Sequence, residues 1–116
     1  MATQYYNKNE QYQSKMDINP LNVSVISGNG QGGSYIVLLG SKFLGANETI
    51  PLGTAGECKN KNLQIVVTIQ DKLAETNWTG VIVILNENGQ TTQYSYAEEL
   101  PQDLDVASYN INIKIS

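Results

Sequence analysis

The sequence predicts an all-β protein, and three observations lead to that prediction. Apolar and polar residues alternate in several short segments, as they do in strands with one buried face. Turn-forming residues separate these segments, and no segment repeats apolar residues with the period of a helix. The 116 residues suit one domain whose core needs neither disulfide nor metal. We therefore expect an antiparallel two-sheet β-sandwich, Ig-like or jelly-roll-like, with six to eight strands, and a small β-barrel as the alternative.

The candidate strands follow one another from residue 21 to the end of the chain. Four of them alternate with period two: Leu21–Val25, Leu63–Gln70, Thr91–Tyr96 and Tyr109–Ile115. Two others, Tyr35–Leu39 and Val81–Leu85, are uninterrupted apolar runs, which predict strands that are covered on both faces. Asn88-Gly89 predicts a tight hairpin between two strands.

The segments between these strands are less regular. Lys42–Leu44 predicts a short strand, and residues 46–61 predict a long loop with at most one more strand. Lys72–Glu75 has room for one helical turn, and Glu98–Asp105 reads as a polar connection. The last strand, Tyr109–Ile115, ends one residue before the chain does, so we expect it at a sheet edge that is open to self-association.

The first 17 residues differ in composition from the rest. Amide side chains alternate there with tyrosines, and the segment contains almost no aliphatic surface to bury. We predict that residues 1–17 form a flexible polar arm and that residues 18–116 form the single β-sandwich domain.

Charge argues against several partners. The chain carries a net charge of −4, has no arginine and no histidine, and places the excess acid in residues 62–116. Without a basic surface or a guanidinium fork, binding to nucleic acid is not expected.

No apolar run exceeds five residues, so no membrane span is expected. The first residues lack a signal peptide, and Cys58 has no partner for a disulfide, which favours the cytoplasm and leaves signal-independent export open.

Catalytic signatures are weak. The absence of histidine removes the usual base for a serine or cysteine nucleophile, and Cys58 reads as a structural thiol. Gly28, Gly30 and Gly33 match G-x-G-x-x-G, but the residues that follow are typical of a strand, whereas a dinucleotide site needs a helix there. We expect neither enzymatic activity nor a cofactor, and a hydrolase that uses carboxylates alone is the least favoured alternative.

Two groups of residues are candidate ligand sites. Trp78, the only tryptophan, stands between Asn77 and Thr79, and an aromatic ring among amides and hydroxyls suits the recognition of sugars or proteins. Glu98, Glu99, Asp103 and Asp105 supply four carboxylates in eight residues and are the calcium candidates, but their spacing does not match an EF-hand, so no metal is expected.

These observations favour a non-enzymatic interaction module. In the leading hypothesis, the sandwich binds a protein partner, or assembles with itself, through loops or a sheet edge. The alternative is a lectin-like carbohydrate-binding module that uses Trp78 and its neighbours.

Overall fold

The computed structural model describes residues 2–28, 32–73 and 75–116, and within these residues it contains nine strands and one short helix. The elements are β1 (Thr3–Tyr12), β2 (Pro20–Gly28), β3 (Gly33–Leu39), β4 (Lys42–Ala46), β5 (Ile50–Thr54), α1 (Ala55–Cys58), β6 (Asn62–Gln70), β7 (Trp78–Glu87), β8 (Gln90–Glu99) and β9 (Val106–Ile115). The strands form two packed sheets, which confirms the predicted sandwich and excludes the barrel. No described helix is long and apolar enough to cross a membrane.

The two sheets are built from strands that are distant in sequence. One sheet has the order β1-β9-β6-β3-β4, and the other has the order β5-β2-β7-β8. Neighbouring strands are antiparallel except β1 and β9, which are parallel, so the all-antiparallel expectation is wrong at this pair. In the described chain, β3–β4 and β7–β8 are the connections within a sheet, and the others cross between the sheets.

The core lies between the sheets and is formed by every second residue of the long strands. In β9, the buried residues Tyr109, Ile111, Ile113 and Ile115 confirm the predicted inner face. The inner residues of β6 and β7 complete this layer, and most of them are β-branched side chains, which pack well on a pleated sheet. The turn at Asn88-Gly89 has positive φ at both residues, as the predicted hairpin requires.

The flexible-arm prediction for residues 1–17 is wrong for residues 3–12, which form β1. This strand pairs with β9 over its whole length, from Thr3 opposite Val106 to Tyr12 opposite Ile115. Its even-numbered side chains face the other sheet, and Tyr12 is only 6% exposed. The amides occupy most of the outward positions, which explains why composition alone suggested a mobile segment. The sandwich therefore begins at residue 3 and not at residue 18.

One further expectation is wrong, and a second is incomplete. The terminal strand β9 is not a sheet edge, because β1 pairs with one side of it and β6 with the other. Residues 46–61 contain the one short strand that the sequence allowed, β5, and also the helix α1, which was not predicted and which Thr54 begins with a reciprocal capping box to Glu57. Among the described residues of Lys72–Glu75 there is no helix.

Two motifs have structural roles. Gly33 begins the strand β3, so no helix follows the glycine cluster, while residues 29–31 of that cluster lie outside the described part of the chain. The Cys58 thiol is buried and donates to the carbonyl of Leu52 at 3.4 Å. Burial raises the pKa of this thiol, despite the nearby Lys61, so it is a poor nucleophile.

Candidate functional site

The clearest depression among the described residues lies at one end of the sandwich, beside Trp78. We call it the Trp78 cleft. It is open, has a volume of about 310 Å³, and is lined by Glu75, Thr76, Asn77, Trp78, Glu99 and Asp103. The connection before β7 supplies three of these residues, Trp78 is the first residue of β7, and the end of β8 and the following turn supply the other two. The sequence therefore identified most of this cleft, but as two unrelated groups.

Hydrogen bonds between the two connections hold the cleft in shape. The Leu100 amide donates to the Asn77 carbonyl at 2.8 Å. In the amide orientation that satisfies both neighbours, Asn77 Nδ2 donates to Asp71 Oδ2 at 2.7 Å and to Asp103 Oδ1 at 2.6 Å. Leu100 is buried and anchors the second connection in the core. Asn77 thus acts as a clamp between two carboxylates as well as a wall of the cleft.

The Trp78 side chain is the main apolar surface of the cleft, with 45% of it exposed. Trp78 lies opposite Glu99 in the β7–β8 ladder, so both side chains project from the outer side of the four-stranded sheet. An exposed indole beside carboxylates is a surface on which a sugar ring can stack while its hydroxyl groups donate hydrogen bonds.

Thr79 does not belong to this site. It is fully buried on the inner side of β7, and its hydroxyl oxygen lies 3.0 Å from the Glu98 carbonyl and 2.7 Å from the Tyr109 hydroxyl. The alternation of β7 forces this result, because Trp78 and Thr79 are consecutive residues of one strand and must point to opposite faces.

The four calcium candidates do not form one ligand set. Glu98 points inward and pairs with Lys8 at 3.1 Å, whereas Glu99 points outward into the cleft. Asp105 is buried and accepts the Ala2 amide at 2.9 Å, and Asp103 is bound by Asn77. Across residues 2–28, 32–73 and 75–116, no three acidic, cysteine or histidine side chains are arranged to hold a metal ion.

A second candidate surface is the outer face of the four-stranded sheet. Ile26 of β2 and Ile82 of β7 are direct cross-strand partners, and Ile84 lies two residues further along β7. These three define what we call the isoleucine face. Ile26 is 51% exposed, and Ile82 and Ile84 are partly exposed. The prediction that Val81–Leu85 is covered on both faces is therefore wrong for the single chain, since no third layer of described residues lies on this side.

The residues around the isoleucine face are polar but almost uncharged. Among the outward positions of β2, β7 and β8, all of which are described, Glu99 is the single charged residue. Ser24, Gln93 and Ser95 are the cross-strand neighbours of the isoleucines. An apolar centre with an uncharged polar surround has the composition of a protein interface, whose core is depleted in charge.

Three charged residues, Lys8, Glu10 and Glu98, lie instead in a seam between the edge strands β1 and β8. Lys8 pairs with Glu98, and the Tyr96 hydroxyl donates to Glu10 Oε2 at 2.7 Å. Burial, together with the hydrogen bond to Glu10, raises the pKa of Tyr96, so its hydroxyl remains a donor at neutral pH. These contacts close the open side of the sandwich, and this use of the charges is structural.

Comparison with known proteins does not assign the chain to a family. No family model, no curated protein and no solved structure matches it. The two surfaces described above are therefore the basis for a functional proposal.

Sequence reasoning missed several residues of these surfaces. Glu75 and Thr76 line the Trp78 cleft, but they lie in a connection whose path the sequence does not specify. Ile82 and Ile84 were assigned to a core because the run around them is wholly apolar. The run itself carried a signal for an exposed apolar surface. In a two-layer fold each sheet has one outer face, so a strand with two apolar faces leaves one of them uncovered unless a partner covers it.

Proposed function

We propose that this chain is a non-enzymatic interaction module and that it binds a protein partner through the isoleucine face. The observation that carries the proposal is the wholly apolar strand Val81–Leu85, of which one face packs in the core and the other lies outward. Apolar residues on both faces are expected where both faces are buried. A partner on the outer face would complete that burial.

The position of the face also supports the proposal. β2 and β7 are the two central strands of their sheet, so the isoleucines stand in the middle of a broad surface and not at a rim. Side chains at the centre of an interface contribute most of the binding energy, because surrounding contacts exclude water from them. The uncharged surround costs little to desolvate compared with a surface of lysine and glutamate.

The edge strands are less suited to this role, because β4 and β5 have only five residues each and short edge strands offer little to pair with, and because β1 and β8 carry charges. β1 and β8 turn Lys8, Glu10 and Glu98 toward each other, and inward-pointing charges of this kind discourage the addition of another strand. The interaction that the sequence predicted for a sheet edge is therefore better placed on a sheet face.

A matched pair of charge substitutions tests the proposal. Ile84→Lys places an ammonium group on the isoleucine face, and Val66→Lys places one on the outer side of β6 in the other sheet. Each variant, after its melting curve is checked, is used as bait in a lysate of cells that express the protein naturally. We expect Ile84→Lys to lose a partner that wild type and Val66→Lys both retain. Loss with Val66→Lys alone would overturn the proposal.

Carbohydrate binding in the Trp78 cleft is a second candidate function. The convergence of the exposed indole with Asn77, Glu99 and Asp103 favours it. Several carboxylates around one aromatic ring can accept hydrogen bonds from sugar hydroxyl groups, and the open shape suits the end or side of an oligosaccharide.

An oligosaccharide panel separates the two functions. Because Trp78 is the only tryptophan, its fluorescence reports directly on ligands in the cleft. In the carbohydrate hypothesis, a binding sugar changes this fluorescence in wild type and in Ile84→Lys, and the change is lost in Asp103→Ala. If no sugar changes the fluorescence at millimolar concentration, the second candidate is rejected, while the first is unaffected.

A further inference from the structure

We infer that the partner on the isoleucine face is a second copy of this chain, placed face to face about a two-fold axis that passes near Ile82. This inference rests on the proposed function, because it names the occupant of the same surface. It assigns to the sandwich a symmetric dimer in which two four-stranded sheets form the inner layers of a four-layer body.

The arrangement of the isoleucines suits a two-fold axis. Ile82 lies in the central strand β7, with Ile26 beside it on β2 and Ile84 two residues along. An axis through Ile82 brings this side chain against its own equivalent and places the flanking isoleucines of the two copies around it. A surface of this kind is complementary to itself, as an isologous interface must be.

The charge distribution favours a second copy. Each chain carries a net charge of −4, so most orientations of two copies bring like charges together. The isoleucine face avoids this repulsion, since Glu99 is the single charged outward residue of β2, β7 and β8 and lies at the end of β8, away from Ile82. Two copies can therefore approach through this face with little electrostatic cost.

The area of the face is sufficient for a weak dimer. Three strands of nine or ten residues cover roughly 33 Å by 14 Å at the usual rise and spacing, and the five-residue strand β5 adds roughly 17 Å by 5 Å. Two copies would therefore bury roughly 1,100 Å² in total, which is in the range of weak interfaces, below about 1,200 Å². We therefore expect a dimer that forms at high concentration and dissociates on dilution.

The other sheet is a poorer dimer surface. Its outer apolar residues are Ile36, Leu38 and Phe43 on β3 and β4 and Val66 on β6, which is the cross-strand partner of Ile36, while half of the outer positions of β9 and β1 carry amides. A two-fold axis through that apolar group would cover only part of the sheet. An axis through the middle of the sheet would place apolar side chains against amides.

Two measurements on the purified full-length chain test the inference. Sedimentation velocity over a wide concentration range should show dimer formation in wild type and Val66→Lys. For Ile84→Lys we expect a dissociation constant at least about tenfold higher, so this variant should sediment as a monomer at the same concentrations.

In the second measurement, a short bismaleimide linker should join Ile82→Cys of one copy to Ile82→Cys of the other. A linker is needed because facing sheets lie about 10 Å apart, whereas a disulfide needs Cα atoms within about 7 Å. The native Cys58 is buried, so it should not react.

Ile36→Cys is the matched control, because it lies on the outer side of the other sheet. A covalent dimer with Ile82→Cys and not with Ile36→Cys supports the inference. Monomeric wild type at all concentrations, or linkage through Ile36→Cys alone, overturns it. If the protein is monomeric but Ile84→Lys still loses a different protein from the lysate, the second copy is rejected and the proposed function stands. If neither occurs, both are rejected.

Discussion

At the scale of single residues, Glu87 is the most unusual side chain of the fold. It is a buried carboxylate at the end of β7, 1% exposed, and it accepts hydrogen bonds from the Tyr12 hydroxyl at 2.5 Å, from the Lys15 and Met16 amides, and from Asn19 Nδ2 at 2.7 Å. Burial by itself would raise the pKa of Glu87, but these hydrogen bonds outweigh it and lower the pKa to about 2. Glu87 thus fixes the connection between β1 and β2.

Replacing this carboxylate should destabilise the protein. In Glu87→Gln, the new amide group faces backbone donors, so we expect the free energy of unfolding at pH 7 to fall by about 2–3 kcal/mol, the usual cost of losing hydrogen bonds to a charged group. Glu48→Gln, at an exposed position, should change it by less than about 0.5 kcal/mol. Urea unfolding of the purified variants measures both. Equal stability of the two variants would show that Glu87 does not hold the connection.

The same residue predicts a dependence on pH. An unfolded glutamate takes up its proton near pH 4.5, whereas folded Glu87 does so only near pH 2. The stabilisation by Glu87 is therefore complete above pH 4.5 and is lost as the pH falls toward 2. The difference in urea midpoint between wild type and Glu87→Gln should narrow between pH 5 and pH 2.5. A constant difference across this range would contradict the assigned charge state.

At the scale of elements, β1 shows where sequence reasoning succeeds and fails. β6 and β9 were predictable because their alternation exposes the core face directly in the sequence. β1 alternates as well, but its inward residues include Lys8 and Glu10, whose partners Glu98 and Tyr96 come from a strand about 90 residues away. The polar partners become visible only when the seam is assembled, so composition suggested disorder instead of an edge strand.

The pairing of β1 predicts a pattern of amide exchange. The Val106 amide donates to the Ala2 carbonyl, and the Ser116 amide donates to the Tyr12 carbonyl. In a parallel ladder this pattern recurs every second residue, so the even-numbered amides of β1 point to β9 and the odd-numbered ones point to the open edge. By NMR, the amides of Tyr6, Lys8 and Glu10 should exchange much more slowly than those of Tyr5, Asn7 and Asn9. Uniformly fast exchange would mean that residues 3–12 are unpaired in solution.

The candidate site shows a related limit. The sequence identified Asn77 and Trp78 as one group and Glu99 and Asp103 as another, each from local composition. Their convergence depends on the connection before β7 and the connection after β8 reaching the same end of the sandwich, which the order of the strands in two sheets decides. A chain whose connections mostly cross between sheets gives few local signals of that order.

At the scale of the whole molecule, the charges avoid the broad faces. Among the described outward positions of β1, β3, β6 and β9, Lys114 is the single charged residue, as Glu99 is on the other sheet. Charges lie instead in the seam between β1 and β8 and in the connections. Both broad faces of a chain with net charge −4 are thus nearly uncharged, while the charged contacts of the seam join the two sheets.

The most direct test of this account maps the contact surface position by position. A photo-crosslinking amino acid is placed at Ile84 on the isoleucine face, at Thr68 on the outer side of the other sheet, and at Asp103 in the Trp78 cleft. Each variant is irradiated in a lysate of cells that express the protein naturally. The account predicts a discrete protein adduct, either a dimer of this chain or a complex with another protein, from position 84 and none from position 68. An adduct from position 68 with none from position 84 would contradict the central claim that the isoleucine face binds the partner.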